Sequence, residues 1–230
     1  MHTTWPDQFI DLNLDRLEAM LSREHYDDFF NNLATVRSDT AIGQEQIDYS
    51  YLLEAQYFFT KRAYSETINI LTPLYKKYPH NVRVYSMLFR ALYGEHRYDD
   101  AVSLTVPSTE NSYDLADIYL CQAMNHRINN DFQKTKQLCE QAILTNPQFN
   151  DALEFYITQI QTPQDALRAL ELSKSMIDEN PHNVAVRWTR VLLFETLQLD
   201  DDLKSEALIL SHISGNNAQV SQLLQKVLPL

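Results

Sequence analysis

Seven histidines, two cysteines and 31 acidic residues are the groups in this chain able to ligate a metal, move a proton or act as a nucleophile. A helical metal site sets imidazoles four residues apart so that both point to one ion. The histidines are scattered, and no two stand at that spacing. Cys121 and Cys139 form neither a zinc pattern nor a disulfide framework and read as reduced thiols. Ser211 and His212 are adjacent, but nothing around them signals the exposed turn and oxyanion site that a hydrolase requires. The run Asp200, Asp201, Asp202 reads as a solvated turn favouring the start of the next helix. These observations predict no catalytic residue, no metal and no cofactor; the chain is expected not to be an enzyme.

The composition narrows the class further. Only Gly43, Gly94 and Gly215 occur, too few for phosphate-cradling loops, dinucleotide folds or an all-β chain rich in tight turns. Hydrophobic residues make up 44% of the chain, enough for a real core, so helices are expected to build it. The net charge of −12 repels a phosphate backbone, which argues against nucleic acid as a partner. No apolar run approaches the roughly 20 residues of a membrane span, and residues 1–15 lack a signal peptide's basic start and apolar stretch. A cytoplasmic protein without membrane insertion is the expectation.

The elements that must position any surface are set by a period. Pro79, Pro147 and Pro181 stand in similar surroundings, 68 and 34 residues apart. Tyr64, Tyr98, Phe132 and Ala166 keep the 34-residue interval, as do Phe58, Leu92, His126, Ile160 and Phe194. Thirty-four residues accommodate two helices and their turns. Each of these prolines ends the second helix of its unit, and Asn81 and Asn183 stand where the next helix requires a cap. Thr162 and Pro163 read as a cap followed by a first-turn proline.

The residues on these beats resemble the tetratricopeptide repeat family. Tyr51, Ala55, Phe58, Tyr64 and Pro79 follow its order of large, small and aromatic positions closed by proline, and Tyr119, Ala123, Phe132, Ala142 and Pro147 do so again. The resemblance implies an all-α, right-handed α-solenoid of stacked helix–turn–helix units. It departs from the family's pattern at Phe89, which takes a small position, and at Tyr113, where proline is expected. The stretch 105–111 breaks helix early, predicting a short second helix in that unit and a loop around 106–112. The expected organisation is one domain over 1–230: an atypical helix pair at 7–44, five repeat units across 48–215, and a capping helix at 216–230 around Val220, Leu223, Leu224 and Val227.

In this family the first helices of successive units line a concave groove in which ligands often lie. Carried onto this sequence, the groove positions are Tyr49, Leu52, Leu53, Gln56 and Phe59, then Arg83, Met87, Arg90 and Tyr93. Leu120, Met124 and Arg127, Phe155, and Trp188 with Leu192 complete them. The family's clamp for chaperone tails uses Lys, Asn and Arg; Leu52, Gln56, Met87, Asp117 and Cys121 stand at the equivalents, so that specificity is not expected. Apolar and aromatic residues with methionine suit another protein's amphipathic helix or extended peptide. The expected function is an adaptor or scaffold subunit of a multiprotein complex. The alternative is a small acidic chaperone shielding an apolar client segment before secretion or assembly. Nothing in the residues decides whether the chain associates with itself, or whether the groove is open or filled by its own N-terminal segment.

Overall fold

The computed structural model describes residues 12–215 and 217–227, apart from the side chains of residues 12–15 and 22. All regular structure among them is helical. The chain divides into two compact units, Met1–Glu110 and Asn111–Leu230. The first holds α1 (Leu12–Ser22), α2 (Tyr26–Ser38), α3 (Gln44–Thr60), α4 (Tyr64–Lys77), α5 (Val82–Gly94) and α6 (Tyr98–Val102). The second holds α7 (Ser112–Ile128), α8 (Phe132–Thr145), α9 (Asn150–Ile157), α10 (Pro163–Glu179), α11 (Val184–Thr196), α12 (Asp200–Ser214) and α13 (Ala218–Val227). Helices pack in consecutive pairs, with α13 laid against α12. Residues 7–11 and 228–230 of the expected terminal helices lie outside the described residues.

One turn geometry closes most pairs. After α3, Arg62 takes φ 58° and donates its N–H to the Phe59 carbonyl at 3.0 Å, while the Ala63 N–H reaches back to the Phe58 carbonyl at 2.9 Å. His96, Asn130 and Gln198 repeat this left-handed turn, and the carbonyls that receive the long bond belong to Leu92, His126 and Phe194. Four of the five residues of the 34-residue series read from the sequence, Phe58, Leu92, His126 and Phe194, thus lie in the last turns of first helices and accept the closing bond, whereas Ile160 lies beyond the end of α9. Glu24 makes the same turn between α1 and α2.

The α9–α10 connection breaks the rule. Thr162 Oγ1 accepts from the Asp165 N–H at 3.2 Å, and Asp165 Oδ2 accepts from the Thr162 N–H at 3.1 Å, a reciprocal cap that starts α10 with Pro163 in its first turn. Asn81 and Asn183 cap α5 and α11 through Oδ1, which accepts from Val84 N–H at 3.0 Å and Val186 N–H at 3.2 Å. Helix α6 has only five residues, and none of 103–111 is helical. Pro107 and the neighbouring Ser and Asn remove or divert the backbone bonds that would extend it.

In the N-terminal unit Leu17, Leu21, Phe29, Leu33 and Val36 close over Leu53. The C-terminal unit buries Tyr156, Met176, Ile143 and Leu153 with small residues Ala116, Ala123, Ala142 and Ala169 between them. Val220 and Val227 of α13 join Val191, Phe194, Leu203 and Leu210. Gly94 is placed where α4 begins: a Cβ there would stand 2.5 Å from Tyr64 Cε2.

Candidate partner-binding surfaces

In the N-terminal unit the candidate residues come from α3 and α5, which pack side by side. Leu52 and Leu53 are fully buried and offer a partner no surface. The family resemblance implies a groove position for both, but the structure buries them, α1 and α2 covering Leu53. Gln56, Phe59, Met87, Arg90 and Tyr93 are half-buried, and Arg83 is exposed. Tyr49 is half-buried and its hydroxyl donates to the Glu18 carboxylate of α1. The Arg83 guanidinium donates to Tyr49 Oη at 3.1 Å and to Glu18 Oε1 at 3.4 Å. Burial pushes the Tyr49 phenol up to about 12, with Glu18 adding to the rise and Arg83 opposing it.

Arginine and aromatic side chains meet elsewhere on α3 and α5. The Arg90 guanidinium lies 5.0 Å from the Phe59 ring centre, and the Phe59 ring stands 5.7 Å from that of Tyr64. Tyr93 meets Tyr98 at 5.4 Å. Glu18 was not legible as a partner of Arg83, because α1 lies outside the regular period and 65 residues away.

The C-terminal unit carries its candidates on α7, α9 and α11. Leu120 is fully buried, whereas Met124, Arg127, Phe155 and Trp188 are half-buried. Arg127 lies 4.6 Å over the Phe132 ring and donates to Asn130 Oδ1 at 3.3 Å. Leu192 is 51% exposed, as are other large hydrophobics of this unit such as Leu144 and Leu208 at 62% and 44%. The starts of α9 and α11 are tied by their amides: Asn183 Nδ2 donates to Asn150 Oδ1 at 2.8 Å. Both arginines of α11 turn inward. Arg187 Nη1 donates to Glu206 Oε1 at 2.6 Å, and Arg190 Nε donates to Glu206 Oε2 at 2.9 Å.

The groups able to do chemistry are not gathered. Among the described residues, no cluster of three or more His, Cys, Asp or Glu side chains could hold a metal ion. Both cysteines are free and buried, and burial, with Glu140 nearby, pushes the Cys139 thiol up to about 12, so it stays a thiol at neutral pH. No helix among the described residues is long and apolar enough to cross a membrane.

No protein-family model matches the chain, and no curated protein sequence matches it. Solved structures do. A chain of the APC/C hetero-tetramer Cut9–Hcn1 superposes with a TM-score of 0.60 at 14% identity, over 96% of this chain and 42% of that one. The chain therefore spans less than half the length of that relative. PilF of Pseudomonas aeruginosa superposes with a TM-score of 0.59 at 11% identity, over 94% of this chain and 96% of that one. The fold is a divergent tetratricopeptide-like, all-α repeat solenoid.

Proposed function

We propose that this chain is a protein-interaction module, an adaptor or scaffold subunit that holds a segment of another protein on the exposed faces of its first helices. The observation that carries the reading is the exposed Leu192 one helical turn from half-buried Trp188 on α11, together with half-buried Phe155 on α9, apolar surface that the fold leaves partly in contact with water. Helix pairs closed by repeated short turns present such surface already ordered, so docking a peptide requires little rearrangement. One structurally similar chain belongs, by its description, to a hetero-tetramer, which fits a subunit role. The reading places the chain in the cytosol, where its two buried thiols remain reduced.

The test is an affinity capture from native extract with the intact protein and with Met87→Glu/Phe155→Glu, both verified by circular dichroism. A partner captured in fixed ratio and lost by the variant supports an adaptor subunit. A partner retained equally by both removes these faces from the reading. A client that is bound and then released supports the chaperone alternative.

A further inference from the structure

Helix α13 is a self-contained piece held to α12 by one backbone choice. It carries its own start, since Asn217 Oδ1 accepts from the Gln219 N–H at 2.9 Å and from the Val220 N–H at 3.3 Å. Buried Val220 and Val227, with Leu223 partly buried beside them, seat it against Val191, Phe194, Leu203 and Leu210. Lys226 reaches Glu195 of α11 at the edge of this contact.

The chain turns back at Gly215, which takes φ 62° and ψ −142°. That combination borders the region only glycine occupies, because a Cβ there crowds its own flanking peptide groups. A Cβ on Gly215 would nevertheless meet nothing within 4 Å among the other described residues. The turn therefore requires glycine for its backbone alone, and crowding from the rest of the fold plays no part. Helix α12 runs to Ser214, so an ordinary helical φ at residue 215 carries the chain onward along α12 instead of back over it. Helix α13 then leaves its seat with its cap intact, and both apolar surfaces are uncovered.

We infer that α13 is an exchangeable element hinged at Gly215, and that the opened seat receives α13 of a second copy, giving a reciprocally exchanged dimer. The seat itself selects this occupant. Its apolar residues and Glu195 already fit α13, so exchange restores each contact of the closed chain and opposes it only with the entropy of association. The closed monomer is the ground state because glycine makes the turn without strain. This inference is independent of the interaction reading above; it adds a way of joining two such modules.

Gly215→Ala isolates the hinge, because the added methyl penalises the closed turn and touches nothing else. The penalty corresponds to about a tenfold shift toward the open form in each chain. Two hinges open per dimer, so the association constant should rise about a hundredfold, read by sedimentation velocity over one concentration series. Adding Val220→Asp should return Gly215→Ala to monomer. Exchange is read by mixing Gly215→Ala chains that carry Glu195→Cys with others that carry Lys226→Cys, then adding a short bismaleimide. A link from 195 to 226 between two chains is expected, and the native thiols are buried away from the reagent. A Gly215→Ala chain that stays monomeric, a dimer that survives Val220→Asp, or a dimer without the 195–226 link would each overturn the inference. Should circular dichroism show Gly215→Ala unfolded, wild type refolded from urea at high and low concentration supplies the test. Dimer trapped at high concentration alone, carrying the same link, is expected; monomer at both concentrations would sink the idea.

Discussion

Glu206 bonds Arg187 through Oε1 at 2.6 Å and Arg190 through Oε2 at 2.9 Å, with the Glu206 and Arg187 side chains less than a tenth exposed. One carboxylate therefore neutralises two guanidinium groups brought to it by the packing of α11 on α12. Removing it leaves a buried cation without its counter-charge, which costs about 3–5 kcal/mol. Glu206→Ala is expected to lower stability by that amount in urea unfolding. Lys226→Ala, which breaks an exposed pair with Glu195, should cost less than about 1 kcal/mol. A Glu206→Ala cost as small as that of Lys226→Ala would mean that water reaches the arginines.

The left-handed turns at Arg62, His96, Asn130 and Gln198 impose a backbone conformation that side chains with a Cβ resist. Asparagine tolerates it best, and glycine meets no steric penalty there. Arg62→Gly and Gln198→Gly are each expected to stabilise the chain by up to about 1 kcal/mol. Asn130→Gly should gain least of the three. Thermal unfolding of the three variants checks the order, and a loss at Arg62 or Gln198 would contradict the turn geometry.

These turns mark a limit of what sequence makes legible. Pro79, Asn81, Thr162 and Pro163 act through their own backbone chemistry, so helix ends at those positions could be read directly. The period carried the all-α repeat class because packing one pair on the next forces similar residues to similar places. The left-handed turns carry no glycine signal, since Schellman hydrogen bonds and tertiary packing override intrinsic preference. Leu52, Leu53 and Leu120 share helix register with exposed positions, and only the covering elements decide that they are buried. Glu206 lies in a polar stretch of α12, and spacing does not reveal which arginines it will meet.

Gly94 and Tyr64 illustrate a close approach that only packing explains. A methyl group at residue 94 would overlap the tyrosine ring, whose Cε2 and Cδ2 would stand 2.5 and 2.7 Å away. The ring is held by Phe59 at 5.7 Å, so it cannot yield without moving a neighbour. Gly94→Ala is expected to cost about 1–3 kcal/mol despite alanine's better helix propensity. The paired change Gly94→Ala/Tyr64→Leu should cost less than the sum of its parts. Equilibrium denaturation of the four proteins gives the coupling directly, and strict additivity would mean that the ring and the glycine do not press on each other.

Asp165 joins the α10 cap to the packing of α8 on α10, since Lys136 Nζ donates to its Oδ1 at 2.5 Å while its Oδ2 accepts from the Gln161 and Thr162 N–H groups. Burial pushes the carboxyl up, but the bonds from Lys136, Gln161 and Thr162 outweigh it and hold it down at about 2. A depressed carboxylate contributes its stability above its unfolded value near 4 and loses it as pH falls toward the folded value. The contribution is on the order of 2 kcal/mol. Wild-type stability should therefore drop between about pH 4 and pH 2, and Asp165→Asn should flatten that limb while lowering stability at pH 7. Asp48 is also held below its usual range, because hydrogen bonds from Lys77, Tyr78 and Gln44 outweigh its burial, so a residual acid slope should persist in the variant. Parallel acid limbs in wild type and Asp165→Asn would show that the carboxylate keeps an ordinary affinity for protons and that the cap does not depend on its charge.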